Sequence, residues 1–253
     1  MSDAVLADLV AMSNRLGDPS NDFAILGEGN TSARMDDETF CVKASGTELR
    51  TITAEGFVRV RFNKVLELLD ATDISDAAVK KGFADASVNA KGRRPSVEAL
   101  LHAIMLSMEG VNFVAHTHPT AINIITCARD GQKAFEGRIF PDEIVCCGVA
   151  PVWIPYTDPG VPLARKVKAE VEAYVERYGM RPKTILVQNH GLITLGGTPA
   201  EVENATHMAC KTARILVGTY ALGGPNFFSQ EQVDAIFARP DEKYRMAILE
   251  KRG

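Results

Sequence analysis

The chain has 253 residues, of which 46% are hydrophobic and 24% are charged, and its formal net charge is −4 at pH 7. This apolar content is enough for a large core and excludes disorder as the dominant state. The acidic excess argues against nucleic-acid binding, which normally needs a clustered basic surface. No apolar run reaches the roughly 18 residues of a membrane span, and the N-terminus lacks the basic-then-apolar pattern of a signal peptide. We therefore expect a cytoplasmic protein that binds neither nucleic acid nor membrane.

Hydrophobic periodicity predicts helices and strands in alternation, separated by turn sequences such as GEGN and SGTE. The stretch from Asp70 to Arg94 is polar and weakly periodic, which predicts a surface loop. In chain order we predict a helix over 2–16, strands over 23–26, 31–35 and 40–43, a strand running into a short helix over 60–69, a helix over 95–108, a strand over 111–118, a helix over 119–131, a strand over 143–156, a helix over 161–178, strands over 185–191 and 192–197, a helix over 199–220, and a last charged helix in the tail.

This alternation predicts one α/β domain with helix, sheet and helix layers. We place that domain at residues 1–222. The remaining 223–253 form a C-terminal extension, which we expect to pack on the domain or on a neighbouring subunit.

Three histidines stand at the ends of apolar segments. His116 and His118 close the strand VNFVAHTH, and residues two apart in a strand point to the same face. His190 also ends an apolar strand, TILVQNHG. Three imidazoles with one remaining position are the pattern of a catalytic zinc site, although a strand also carries paired histidines for packing alone.

Glu98 is a further candidate ligand or base. We expect it in the first turn of a helix, where the macrodipole favours its ionised form. His102 lies four residues later on the same face and could support Glu98. The alternative is that Glu98 lies at a helix N-terminus without a catalytic or metal-binding role.

Three turns have the composition of an anion-binding cradle. They are Gly27–Asn30, Ser45–Thr47 and Pro95–Ser96, where backbone N–H groups and a helix start attract phosphate. Lys43 adds a positive charge nearby. Each turn alone is more often only a turn, but together they make a plausible pocket.

These segments resemble the class II, zinc-dependent aldolase/adducin family. The matching motifs are GEGNTSAR, VKASG, RPSVEALLH, VAHTHP and QNHG, in the family's order. The resemblance implies a three-layer α/β/α fold with a largely antiparallel or mixed central sheet, and a homotetramer. It also implies zinc, or another divalent metal such as Mn²⁺ or Co²⁺. The implied roles are metal binding by His116, His118, His190 and Glu98, acid/base catalysis by Glu98, and substrate or phosphate binding by Gly29, Asn30, Ser45, Gly46 and Ser96. The positive charge of Lys43 beside the turns makes it a further candidate for substrate or phosphate binding.

The resemblance implies an aldolase that cleaves a ketose, expected to be a ketose 1-phosphate, into dihydroxyacetone phosphate and an aldehyde through a zinc-stabilised enediolate. Related pentulose-phosphate 4-epimerases usually carry aspartate where Glu98 stands, so the glutamate favours aldol cleavage. The alternatives are such an epimerase, a sugar-acid phosphate decarboxylase or a methylthioribulose-phosphate dehydratase. A non-enzymatic adducin-like module is less favoured, since adducin-type domains lack the metal histidines.

Two positions depart from the family's pattern. Val97 stands where several members have a second serine, so one phosphate-binding hydroxyl is missing. The stretch 140–144 reads Phe-Pro-Asp-Glu-Ile and lacks the tyrosine that the aldolases use as an acid. Asp142 or Glu143, or Tyr244 in the tail, is the candidate replacement.

Overall fold

A computed structural model describes residues 2–88 and 92–250. Its helices are α1 (Ser2–Leu16), α2 (Phe62–Leu66), α3 (Asp76–Ala86), α4 (Ala99–Leu106), α5 (Thr120–Thr126), α6 (Gly131–Ala134), α7 (Pro141–Cys147), α8 (Val161–Tyr178), α9 (Pro199–Tyr220), α10 (Gln230–Ala238) and α11 (Pro240–Glu250). Its strands are β1 (Asn30–Arg34), β2 (Thr39–Lys43), β3 (Phe57–Arg61), β4 (Phe113–Thr117), β5 (Val152–Ile154), β6 (Thr184–Val187) and β7 (Gly191–Gly196). The strands belong to a seven-stranded mixed sheet, which confirms the predicted fold class. Among the described helices, none combines the length and apolar character that crossing a bilayer requires.

One compact unit comprises Met1–Thr117 and Thr157–Ala169. Its strands run in the order β3-β2-β1-β4, and every neighbouring pair is antiparallel. Thr31 and Ser32 are consecutive in β1 and therefore point to opposite faces. Thr31 Oγ1 lies 2.6 Å from Ser13 Oγ of α1, whereas Ser32 Oγ lies 2.6 Å from His102 Nδ1 of α4. Helices thus cover both faces of these strands, as the layered prediction requires.

A second compact unit comprises His118–Tyr156 and Glu170–Gly253. Here β6 pairs antiparallel with β7 and parallel with β5. Helix α9 packs on β7, where Thr206 and Thr194 share a buried hydroxyl hydrogen bond of 2.8 Å. Helix α7 packs on α9, and the tail helices α10 and α11 pack on α7.

Two predicted local structures in the first unit are wrong. The segment 23–26 is not a strand, because Leu26 has φ +53°, outside the extended region. The predicted loop from Asp70 to Arg94 contains helix α3, although part of that segment (89–91) lies outside the described residues. Ser75 caps α3 by accepting a hydrogen bond from the Ala78 N–H. The helix buries only Phe83 and Ala86, which explains its weak periodicity.

Two predictions in the second unit also need correction. The segment 143–156, predicted as one strand, begins within helix α7 and continues into the short strand β5. Pro141 at the first helical position and acidic residues in the first turn favour this helix over the β-propensity of Ile-Val. The tail holds two helices rather than one, because Pro240 begins a new helix after α10 ends.

Candidate metal centre

The histidines singled out in the sequence gather at one place. His116 is buried near the end of β4, and His118 follows that strand. His190 lies in the turn between β6 and β7 rather than at a strand end as predicted, because β6 ends at Val187 and Asn189 has φ +55°. Each offers one ring nitrogen, and these three atoms lie within 4.8 Å of one another. The rings of His118 and His190 meet edge to face, with centroids 5.1 Å apart. Among the residues that the structure describes, no other group of three His, Cys, Asp or Glu side chains gathers in this way.

The donor set suits a divalent metal. Two nitrogens bound to one Zn²⁺ at about 2.1 Å can lie no more than about 4.2 Å apart, and the upper bound on the separations in this cluster is 4.8 Å. Neutral imidazoles favour Zn²⁺ and other borderline transition metals over Mg²⁺ or Ca²⁺. Three histidines also leave a coordination position open, as catalytic sites require.

Glu98 contacts the first of these histidines. It lies directly before α4, at its N-cap position rather than in the first helical turn as predicted, and its side chain makes no capping hydrogen bond. Its Oε1 lies 3.5 Å from His116 Nε2. Its Oε2 accepts a 2.6 Å hydrogen bond from Asn30 Nδ2. One carboxylate oxygen therefore faces a candidate metal ligand and the other faces an amide.

The pairing of β1 with β4 explains why Asn30 is at this position. Asn30 stands opposite His116 in the antiparallel ladder, and directly opposed residues place their side chains on the same face. Asn30 also donates to Ser96 Oγ at 3.2 Å and accepts from His102 Nε2 through its side-chain oxygen. The predicted support of Glu98 by His102 thus runs through Asn30. Ser32, which binds the other nitrogen of His102, was not predicted.

Burial controls the charge of the groups around Glu98. It lowers the pKa of His102 to about 3, and the nearby His116 adds to this effect while Glu98 opposes it. His102 is therefore a neutral imidazole near pH 7. Burial also lowers the pKa of Lys43, while the negative charges of Glu98 and Glu48 act in the opposite direction.

The three cradle turns lie close together, but not all of their donors are available. Lys43 Nζ donates to the carbonyl oxygen of Gly27 at 3.0 Å. The Ser45 N–H donates to Arg94 O, and the Ser96 N–H donates to Lys43 O. Because these two backbone donors are used within the protein, the expectation that every turn offers open N–H groups is wrong for Ser45 and Ser96.

Gly29 is required by the close approach of its turn to β4. Its φ is +64°, and a Cβ at this position would lie 2.7 Å from the carbonyl oxygen of His116. Gly46 also has a positive φ, +82°, but a Cβ there would meet no atom within 4 Å. The first glycine therefore fixes the approach of the turn to the strand that carries His116.

The candidate auxiliary acids belong to the second unit. Asp142 forms an ion pair with Arg245 of α11, and the adjacent Tyr244 is 71% exposed. Glu143 is buried, where it accepts hydrogen bonds from Arg138 at 2.7 Å and from the Ile139 N–H at 2.9 Å. These contacts give Glu143 a structural role.

Comparison with known proteins gives one matching family model and several relatives. Residues 7–217 match the model described as Class II Aldolase and Adducin N-terminal domain. The chain is 29% identical over 199 residues to the uncharacterized oxidoreductase YuxG of Bacillus subtilis, an alignment that covers 76% of this chain but 26% of that protein. It is 24% identical to a methylthioribulose-1-phosphate dehydratase of Microcystis aeruginosa, covering 76% of this chain and 85% of that enzyme. A solved L-fuculose 1-phosphate aldolase has the same fold, with a TM-score of 0.70, 16% identity and coverage of 97% of this chain and 98% of that one.

Proposed function

Because the chain belongs to the class II aldolase and adducin family, we propose that it is a metal-dependent aldolase. Its proposed substrate is a ketose 1-phosphate, and its proposed products are dihydroxyacetone phosphate and an aldehyde. The observation that carries this proposal is the gathering of three imidazole nitrogens within 4.8 Å. His116, His118 and His190 would hold the metal, with Glu98 beside His116.

The proposed metal is Zn²⁺, with Mn²⁺ or Co²⁺ as replacements. When bound, such a cation supplies Lewis-acid stabilisation of the negative charge that develops on the substrate. This role requires a coordination position that the protein leaves open, and three histidine ligands are consistent with it.

Glu98 is the proposed acid/base. In the cleavage direction the C3–C4 bond breaks, its electron pair stays on C3, and the proton of the C4 hydroxyl passes through the second acid proposed below to the Glu98 carboxylate. A carboxyl group at Glu98 would then deliver a proton to C3. The contacts of Oε1 with His116 and of Oε2 with Asn30 support this role, because they hold the carboxylate in a defined orientation.

The substrate's phosphate is proposed to bind at the turns that carry Gly29, Lys43, Ser45, Gly46 and Ser96. The buried ammonium of Lys43 is the charge best suited to a phosphate there. Val97 supplies no hydroxyl, and it is 59% exposed.

The test begins with metal analysis of the purified protein, followed by a screen of ketose 1-phosphates for release of dihydroxyacetone phosphate. We expect Glu98→Gln to keep its metal and to lose about 10²- to 10⁴-fold in turnover, the usual contribution of an acid/base. Glu109→Gln, at an exposed glutamate after α4, is the matched control and should behave like wild type. Wild-type cleavage by the Glu98→Gln variant would remove Glu98 from the mechanism.

A methylthioribulose-1-phosphate dehydratase is the second candidate. The relative from Microcystis aeruginosa carries that name, and its alignment spans most of both proteins. The absence of a tyrosine in 140–144 also weakens the aldolase assignment. The same screen separates the two, because loss of water from the substrate releases no aldehyde and no dihydroxyacetone phosphate. Epimerase and decarboxylase products are assayed alongside.

The remaining parts of the proposal concern the assembly and its setting. We propose a cytoplasmic homotetramer with a catalytic domain over 1–222 and an extension over 223–253, and with Asp142 or Tyr244 as the second acid. Sedimentation analysis of the purified chain tests the oligomeric state. A protein that binds no divalent metal would instead favour an adducin-like module.

A further inference from the structure

A chain of buried side-chain hydrogen bonds leads from β1 to Glu98. Ser32 Oγ lies 2.6 Å from His102 Nδ1, and His102 Nε2 is bonded to Asn30 Oδ1. Asn30 Nδ2 then donates to Glu98 Oε2 at 2.6 Å. Ser32, His102 and Asn30 are exposed by 0%, 1% and 4%, so water does not compete for these bonds.

The chemistry of the groups fixes the direction of each bond. A neutral imidazole has one donor and one acceptor nitrogen. The side-chain oxygen of Asn30 can only accept, so His102 must donate from Nε2. Its Nδ1 must then accept from the Ser32 hydroxyl. With its oxygen held by His102, Asn30 presents its NH₂ group to Glu98, which accepts as a carboxylate.

Both N–H donors of the Asn30 amide are used by this arrangement. Its NH₂ group donates to Ser96 Oγ at 3.2 Å as well as to Glu98 Oε2 at 2.6 Å, while its oxygen accepts from His102. A reversed amide would place its oxygen against the Glu98 carboxylate and leave two acceptors facing each other. The family resemblance implies that Asn30 binds the phosphate, but in this structure both amide hydrogens are donated to protein groups.

We propose that Ser32, His102 and Asn30 form a positioning chain that holds the Glu98 carboxylate against His116, and that Asn30 serves this purpose rather than phosphate binding. The inference rests on the proposed acid/base role of Glu98. None of the three residues need touch the substrate. Each acts on the reaction through the orientation of Glu98.

The first test separates kcat from KM with a ketose 1-phosphate that the protein cleaves. Removal of an orienting partner of this kind typically costs about 10- to 100-fold. We expect Ser32→Ala and His102→Leu to lower kcat within that range, with KM changed by less than about twofold. His102→Gln, whose amide nitrogen can replace Nε2 as a donor, should recover most of kcat.

Thr31→Val is the matched control for Ser32→Ala. It removes a buried hydroxyl from the neighbouring position of the same strand, but on the face that packs on α1. It should leave both kcat and KM at the wild-type values. An equal loss of kcat in Thr31→Val and Ser32→Ala would mean that strand stability, rather than the chain, causes the effect, and would overturn the proposal.

Asn30→Ala distinguishes positioning from phosphate binding. Positioning predicts a fall in kcat with unchanged competitive inhibition by inorganic phosphate. A rise in KM and in the inhibition constant for phosphate, with kcat retained, would show that Asn30 binds the phosphate and would overturn the inference.

A measurement without substrate keeps this inference separate from the proposed function. Nitrogen NMR of histidine-labelled protein, stripped of metal, reports the tautomer of each imidazole. We expect the Nε2–H tautomer for His102 in the wild type and in Ser32→Ala, where Asn30 Oδ1 still requires a donor, and loss of this preference in Asn30→Ala. An Nδ1–H tautomer in the wild type would overturn the positioning chain, even if the protein cleaves ketose phosphates. The expected tautomer in a protein that cleaves none of them would sustain the chain and refute the proposed substrate.

Discussion

His102 is a buried histidine that stays neutral because solvent cannot reach it. Burial lowers its pKa to about 3 from the usual 6.5. The unfolded chain therefore binds a proton that the folded chain does not, between these two pH values. The contribution of neutral His102 to the free energy of unfolding is therefore complete above pH 6.5 and is lost as the pH falls towards 3.

The predicted size of this effect is about 2 kcal/mol between pH 7 and pH 5, from the difference in proton binding. Urea unfolding of the metal-stripped protein at the two pH values measures it. In His102→Gln this part of the pH dependence should disappear, because the amide has no proton to gain. Equal losses of stability in wild type and variant would show that other groups control the acid response.

Alanine substitutions at Gly29 and Gly46 separate two costs of placing a side chain at a residue with positive φ. Gly29→Ala adds a contact of 2.7 Å with the carbonyl of His116 to the left-handed backbone strain, whereas Gly46→Ala adds the strain alone. The strain costs about 1–2 kcal/mol. We therefore expect urea unfolding to show a larger loss for Gly29→Ala, and zinc titration to show weaker binding because β4 must shift. Equal destabilisation by the two substitutions would contradict the close approach.

Helix α7 depends on a buried ion pair between Glu143 and Arg138, whose side chains are 1% and 3% exposed. Glu143→Ala leaves Arg138 charged and buried without this partner, which costs about 3–5 kcal/mol. Asp142→Ala, at the next residue, removes only a partly exposed contact with Arg245 and should cost less than about 1 kcal/mol.

Unfolding of both variants in urea measures these costs. Similar values for Glu143→Ala and Asp142→Ala would contradict the structural role of Glu143. If Glu143 is structural, the folded fraction of Glu143→Ala should also keep the wild-type turnover per molecule.

The long elements could be predicted because their patterns are strong. Helices α1, α8 and α9 begin and end where the periodicity and the Gly or Pro residues indicate. Helices α3 and α7 could not be predicted in the same way. The first buries few side chains, and the second is stabilised by Arg138 and by packing on α9, which are tertiary contacts.

The order of five short motifs along the chain was enough to predict the family, and the match over residues 7–217 confirms it. The gathering of His116, His118 and His190 was predicted from strand ends alone. The chain from Ser32 to Glu98 was not, because it depends on the register that sets Asn30 opposite His116 and on the packing of α4 over β1. Strand register and packing are fixed by the tertiary structure, so local sequence patterns do not reveal them.

The proposed function depends on one metal ion held by His116, His118 and His190. Calorimetric titration of Zn²⁺ into the metal-stripped protein tests this directly, with His190→Ala as the ligand variant and His207→Ala on α9 as the control. We predict one ion per chain in the wild type and in the control, and binding at least about 100-fold weaker in His190→Ala. No binding in the wild type, or unchanged affinity in His190→Ala, would contradict the account.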